Sequence, residues 1–149
     1  MTKVLLNRLS MEDFERERRM AGMPRDARAI TSSRDTNGRQ WRIQIDKSLP
    51  KREYQRLLRH EEGHVFSEKA HINRRLSPGQ KRMLVKSYGT SLAKGQSSQA
   101  KLQETVAELY RLHKYHPKSP ITRGFKHQDP KISKVISNEI KRFKVRRYY

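Results

Sequence analysis

Residues 60–64 read His-Glu-Glu-Gly-His and combine two metal-binding side chains with a carboxylate at a spacing that suits one α-helix. On a helix, His60 and His64 lie on one face a turn apart, so both imidazoles can bind a single Zn²⁺ ion. Glu61 lies about 100° further around the helix, where it can take a proton from a water molecule at the metal. The spacing predicts a zinc hydrolase site with Glu61 as the general base. The ordinary alternative is a chance match on a charged helix with solvated histidines.

A third ligand must come from elsewhere in the chain, because a catalytic zinc ion takes three protein ligands and keeps one position open. The chain contains no cysteine, which restricts the choice to histidine and carboxylate. We expect Glu104 to be this ligand and Glu108, on the same helix face, to orient a histidine ring. Glu108 and His71 are the alternative ligands, and a solvated acidic pair is the ordinary interpretation of the two glutamates.

Four more side chains are candidates for stabilising an oxyanion, if their helices bring them beside the metal. They are His113, His116, Tyr88 and Tyr110. Surface or packing roles are commoner for such residues, and we expect those roles here.

The pattern around the motif predicts a strand followed by a long helix. Residues 40–46 alternate apolar and polar side chains, as a half-buried strand does, and such a strand could pair with an extended substrate. Pro50 then opens a helix over about 51–70 that carries the motif. A further helix is predicted after Ser77.

The rest of the chain before the C-terminal segment contains two more predicted helices and two irregular segments. A capping hydroxyl at Ser10 starts one helix, and apolar spacing places another over about 99–115. The irregular segments are 25–40 and 89–99, and the first ends in a turn signal, Thr-Asn-Gly at 36–38.

Residues 118–149 form a basic segment with ten Lys or Arg and two acidic residues, a local net charge of +8 (10 − 2). Apolar residues recur at helical intervals from Ile132 to Phe143, which predicts an amphipathic basic helix. The basic residues that cluster near the final two tyrosines are candidate nucleic-acid contacts. They are Lys141, Arg142, Lys144, Arg146 and Arg147.

The whole chain is strongly basic, since its 149 residues include 35 Lys or Arg against 15 acidic residues, a formal net charge of +20. This charge indicates a polyanionic partner, with nucleic acid the leading candidate and an anionic membrane surface or an acidic protein the alternatives. The ordinary explanation is that some organisms and viruses have generally basic proteins. The sequence contains no signal-peptide pattern and no apolar run long enough to span a bilayer. We therefore expect a cytoplasmic, nucleoid-associated or virion-associated protein that is not secreted, and the oligomeric state is not predicted.

The motif and its flanks resemble the strand and active-site helix of ImmA/IrrE-type metallopeptidases, which belong to the gluzincin group of zincins. The matching residues are Ile43-Gln44-Ile45-Asp46, Leu49-Pro50, Leu57-Leu58 and the motif at 60–64. Downstream, Glu104-x-x-Ala107-Glu108 is similar to the second glutamate helix of these enzymes, in which the first Glu is the third zinc ligand. Two departures are Glu108, where such families often have Asp or Asn, and the forty-residue interval between His64 and Glu104. The resemblance implies regulatory proteolysis of a DNA-bound or intracellular protein.

Together these features predict an α+β fold. We expect a small zincin-like domain, mostly helical with a short sheet beside the active-site helix, plus a basic helical C-terminal tail. The predicted segments are 1–39 (helix and loop), 40–117 (metallopeptidase core) and 118–149 (tail). The predicted function is zinc-dependent hydrolysis of a peptide bond in a protein substrate. The alternative is a basic, nucleic-acid-associated structural, virion or ribonucleoprotein component that keeps a zincin-like core.

Overall fold

The computed structural model describes residues 2–33, 39–89 and 95–149 and has an α+β fold. In chain order the elements are β1 (Thr2–Leu9), α1 (Met11–Met20), β2 (Ala29–Ser33), β3 (Gln40–Asp46), α2 (Lys51–Lys69), α3 (Ile72–Arg75), α4 (Pro78–Tyr88), α5 (Ser98–Tyr115), α6 (Pro120–Gln128), α7 (Pro130–Arg142) and β4 (Val145–Tyr148).

Contacts divide the chain into two compact units. The first contains Met1–Glu61 with Lys144–Tyr149, and the second contains Glu62–Phe143. The continuous helix α2 passes from the first into the second. The boundaries of these units, after Glu61 and after Phe143, differ from those of the predicted segments 1–39, 40–117 and 118–149.

The first unit contains a mixed four-stranded sheet with the order β2-β3-β1-β4. Strand β1 is parallel to both β3 and β4, whereas β2 is antiparallel to β3. The buried apolar residues of the two central strands are Val4 and Leu6 on β1 and Ile43 and Ile45 on β3, and Gln44 and Asp46 of β3 are buried as well. Phe14 of α1 is fully buried in the same unit.

Strand β3 has the predicted bounds, but its place in the sheet overturns one expectation. Because β3 lies between β2 and β1, both of its edges are already hydrogen-bonded. The prediction that this strand could pair with an extended substrate is therefore wrong. Strand β2 lies at an edge of the sheet and was not predicted, since it falls within the segment 25–40 interpreted as irregular.

The second unit is helical and has its own apolar core. Phe66, Leu84 and Tyr110, from α2, α4 and α5, are fully buried in one cluster. Phe125 of α6 and Ile136 of α7 are fully buried in the same cluster.

The predicted amphipathic helix in the C-terminal segment is confirmed by α7, but the expectation of an appended tail is wrong. The apolar residues of α6 and α7 supply part of the core of the second unit. The last strand, β4, pairs with β1 in the sheet of the first unit. Helices α6 and α7 therefore belong to the second unit and β4 to the first.

Capping predicted several helix starts correctly. Ser10 accepts a hydrogen bond from the backbone of Asp13, and Ser77 forms a reciprocal capping box with Gln80. The turn signal at 36–38 lies outside the described residues, as do residues 90–94 of the predicted loop 89–99.

Across the described ranges, no helix has both the length and the apolar character needed to cross a bilayer.

Candidate metal centre

Helix α2 positions the two histidines of the motif. It extends over Lys51–Lys69, close to the predicted 51–70. His60 is buried, with 4% of its surface exposed, and the side chain of His64 is 19% exposed. Because α2 is one continuous helix, the two rings lie a turn apart on one face.

Helix α5 brings a carboxylate to these rings. The Oε1 atom of Glu104 lies 3.0 Å from Nε2 of His64, and the Glu104 side chain is 23% exposed. One donor atom from each of His60, His64 and Glu104 lies within 4.8 Å of the other two. Within the described ranges, no other group of three or more His, Asp or Glu side chains has the spacing of a metal site.

The closeness of α2 and α5 depends on Gly63. A Cβ atom built on Gly63 would lie 2.5 Å from the carbonyl oxygen of Ala107 and 2.7 Å from its Cα. Only a residue without a side chain allows two helix backbones to approach this far. Gly63 therefore makes room for the backbone of α5 at Ala107. Ala107 lies one turn after Glu104, so this contact holds the carboxylate beside His64.

The donor types and the distance between His64 and Glu104 fit a zinc ion. Two donors bound tetrahedrally at about 2.0–2.1 Å from one zinc ion are about 3.4 Å apart. The separation between His64 and Glu104 is near this value, and two imidazoles with one carboxylate leave a fourth position open. Zn²⁺ accepts both ligand types.

Glu61 is held by a residue that the sequence did not indicate. The hydroxyl of Thr31, on strand β2, donates a hydrogen bond to Oε2 of Glu61. Both residues belong to the first unit. This contact restricts the orientation of the carboxylate expected to act as a base. Thr31 was missed because β2 was not predicted, and no local pattern marks the residue.

Glu62 anchors α2 to the second half of α5. It is 1% exposed, and its Oε2 atom accepts hydrogen bonds from the Tyr110 hydroxyl at 2.5 Å and the Tyr115 hydroxyl at 2.7 Å. The Lys114 ammonium lies 3.4 Å from the same oxygen. A buried carboxylate is tolerated when such donors satisfy it. This network was not predicted from the sequence. The feature that could have indicated it is the grouping of Tyr110, Lys114 and Tyr115 at the end of α5.

The other two candidate ligands lie outside the cluster. Glu108 forms a bidentate pair with Arg111, one turn later on α5. Its expected role in orienting a histidine ring stays a prediction. His71 is exposed and has a left-handed backbone conformation (φ 52°) at the start of α3.

The oxyanion candidates have other contacts. Tyr88 donates to Asp129 at 2.8 Å, and Tyr110 belongs to the Glu62 network. His113 packs edge-on against Phe125, and burial lowers the pKa of its imidazole. His116 is exposed at the end of α5.

The candidate nucleic-acid contacts are divided between the two units. Lys141 and Arg142 end α7, whereas Lys144, Arg146 and Arg147 precede or form part of β4. Side chains alternate along a strand, so Arg146 and Arg147 point to opposite faces of the sheet.

Known proteins suggest no function for this chain, so the geometry and chemistry of the centre are the basis for proposing one. No protein-family model, curated protein or solved structure matches the chain.

Proposed function

We propose that this protein is a zinc-dependent endopeptidase with a zincin-like core of the gluzincin type, similar to the ImmA/IrrE-type metallopeptidases. The observation that supports it most is the grouping of donor atoms from His60, His64 and Glu104 within 4.8 Å. Glu61 follows directly on the helix that carries both histidines, as a general base should.

In the proposed reaction, His60, His64 and Glu104 hold the metal, and Glu61 moves the proton. A zinc ion bound there would polarise the scissile carbonyl and lower the pKa of water. The Glu61 carboxylate accepts the proton of the attacking water and then delivers it to the leaving amine. Thr31 keeps that carboxylate oriented through its hydroxyl.

The proposed substrate is an extended segment of an intracellular protein. The outer edge of β2 has no strand partner within the described ranges, and Thr31 on β2 contacts Glu61. A peptide that adds to this edge by backbone hydrogen bonds would lie next to the proposed base. This edge takes the role first expected for β3.

Replacing Glu61 by Gln tests the proposal. The Glu61→Gln variant should lose proteolysis of unfolded protein substrates while it keeps its zinc content and its unfolding temperature, because the amide cannot accept the proton. His64→Ala should lose both zinc and activity. Full activity of Glu61→Gln would contradict the proposal.

The competing function is a basic, nucleic-acid-associated structural or virion component that keeps a zincin-like core for stability. The net charge of +20 favours it. Under this function, Glu61→Gln would change nothing, whereas loss of zinc would lower stability alone.

A further inference from the structure

The first unit contains a cationic cavity of about 500 Å³ that plays no part in the proposed peptidase reaction. Five basic side chains line it, and the described lining residues include no Asp or Glu side chain. The basic residues are Arg8, Lys47, Lys51, Arg59 and Arg147. The lining is more uniformly basic than the rest of the unit, whose other surfaces carry acidic residues such as Asp13 and Glu15.

Concentrating like charge in a concave site has an electrostatic cost that an anionic ligand removes. Field lines focus in such a cavity, where low-dielectric walls limit screening. The volume is within the range of pockets that bind small ligands. The cavity therefore suits an anion that enters it.

Two tyrosines give this cavity an aromatic character. The guanidinium of Arg8 lies 5.4 Å from the ring centre of Tyr54. The Tyr54 hydroxyl is shielded from solvent and has no hydrogen-bond partner within the described ranges. Tyr149 also lines the cavity, and 83% of its surface is exposed.

We propose that this cavity binds single-stranded nucleic acid, with Arg8, Lys51 and Arg147 at the phosphates and Tyr149 stacked on a base. Cationic grooves with exposed aromatic rings are the usual means of binding single strands without sequence preference. A cavity admits an unstacked base, which a single strand can present and a base-paired duplex does not. The strand β4 contributes Arg147 to this site, and Arg146 points to the opposite face.

The proposal is independent of the peptidase function. No lining residue is a proposed metal ligand or the proposed base. Loss of nucleic-acid binding would leave proteolysis unchanged, and loss of zinc would leave the cavity in place.

A charge-matched pair of double variants tests the site in the full chain. Arg8→Gln with Lys51→Gln removes two cavity charges. Lys3→Gln with Arg52→Gln removes two exposed charges from the same strand and helix, outside the cavity. Binding of a labelled single-stranded oligonucleotide of about ten nucleotides is followed by fluorescence anisotropy over a salt series.

The cavity variant should bind about tenfold more weakly than the control, and its log-log salt slope should be shallower by about 1.4. Tyr149→Ala should weaken oligonucleotide binding about tenfold and leave inorganic polyphosphate binding unchanged, while Tyr148→Ala should change neither. Equal losses in the two double variants would overturn the proposal. So would tighter binding of duplex DNA, polyphosphate, an acidic peptide or anionic lipid vesicles than of the single strand.

Discussion

Gly63 and Ala107 are in direct backbone contact, with the position of a Gly63 Cβ only 2.5 Å from the Ala107 carbonyl oxygen. This contact fixes how closely α2 and α5 approach at the level of His64 and Glu104. The metal centre therefore depends on a residue that binds nothing itself.

Gly63→Ala should separate the two helices. The added methyl group meets backbone atoms that cannot rotate away, so we expect a loss of about 1–3 kcal/mol in the free energy of unfolding and weaker zinc binding. Denaturant unfolding and zinc titration measure both effects. Gly124→Ala is the matched control, since this helical glycine has open space around its Cβ position and should gain about 0.5–1 kcal/mol. Unchanged zinc affinity in Gly63→Ala would contradict this account.

Glu62→Ala should destabilise the protein by about 3 kcal/mol, because it leaves the buried Tyr110 hydroxyl without this acceptor and Lys114 without this carboxylate. Chemical denaturation measures the change. Glu68→Ala removes an exposed acid from the same helix and should have little effect. Equal stability of the two variants would show that the network contributes nothing.

Thr31→Val should lower kcat about 10–100-fold while zinc content and KM stay near those of the unmodified chain. The valine keeps the size of the side chain but cannot donate to Glu61. Thr31→Ser retains the hydroxyl and should keep most of the activity. Steady-state kinetics on one peptide substrate compare the three proteins, and an active Thr31→Val would rule out the positioning role.

His113 should make the protein less stable in acid. Burial lowers the pKa of its imidazole below the ordinary 6.5, against a raising effect of its hydrogen bond to the Leu109 carbonyl. Below about pH 6.5 the unfolded chain therefore binds a proton that the folded chain does not, and the free energy of unfolding falls. His113→Phe should lose less stability than the unmodified chain between about pH 7 and pH 5. His127→Gln, which removes an exposed histidine, should follow the unmodified chain, and a His113→Phe profile identical to it would refute the prediction.

The sequence predicted elements whose signals are local. The bounds of β3, α2 and α5 follow from alternation, capping and apolar spacing within each segment. Strands β1 and β4 were missed because each is stabilised by strands distant in sequence, β1 by β3 and β4, and β4 by β1. Such pairing leaves little trace in a short basic strand.

The same distinction applies to the candidate centre. His60 and His64 are related by helix geometry, and Glu104 was chosen because two glutamates share one helix face. Thr31 and Glu62 could not be predicted in the same way, since neither belongs to a residue pattern that indicates its long-range partner. Long-range contacts of this kind are visible only in the folded chain.

Zinc content of the purified chain tests the central claim most directly. Elemental analysis after purification in zinc-containing buffer should find about one zinc ion per chain, and His64→Ala and Glu104→Ala should lose it while the exposed-site variant His71→Ala retains it. A chain without bound zinc, or a Glu104→Ala variant with undiminished zinc, would contradict the proposed centre.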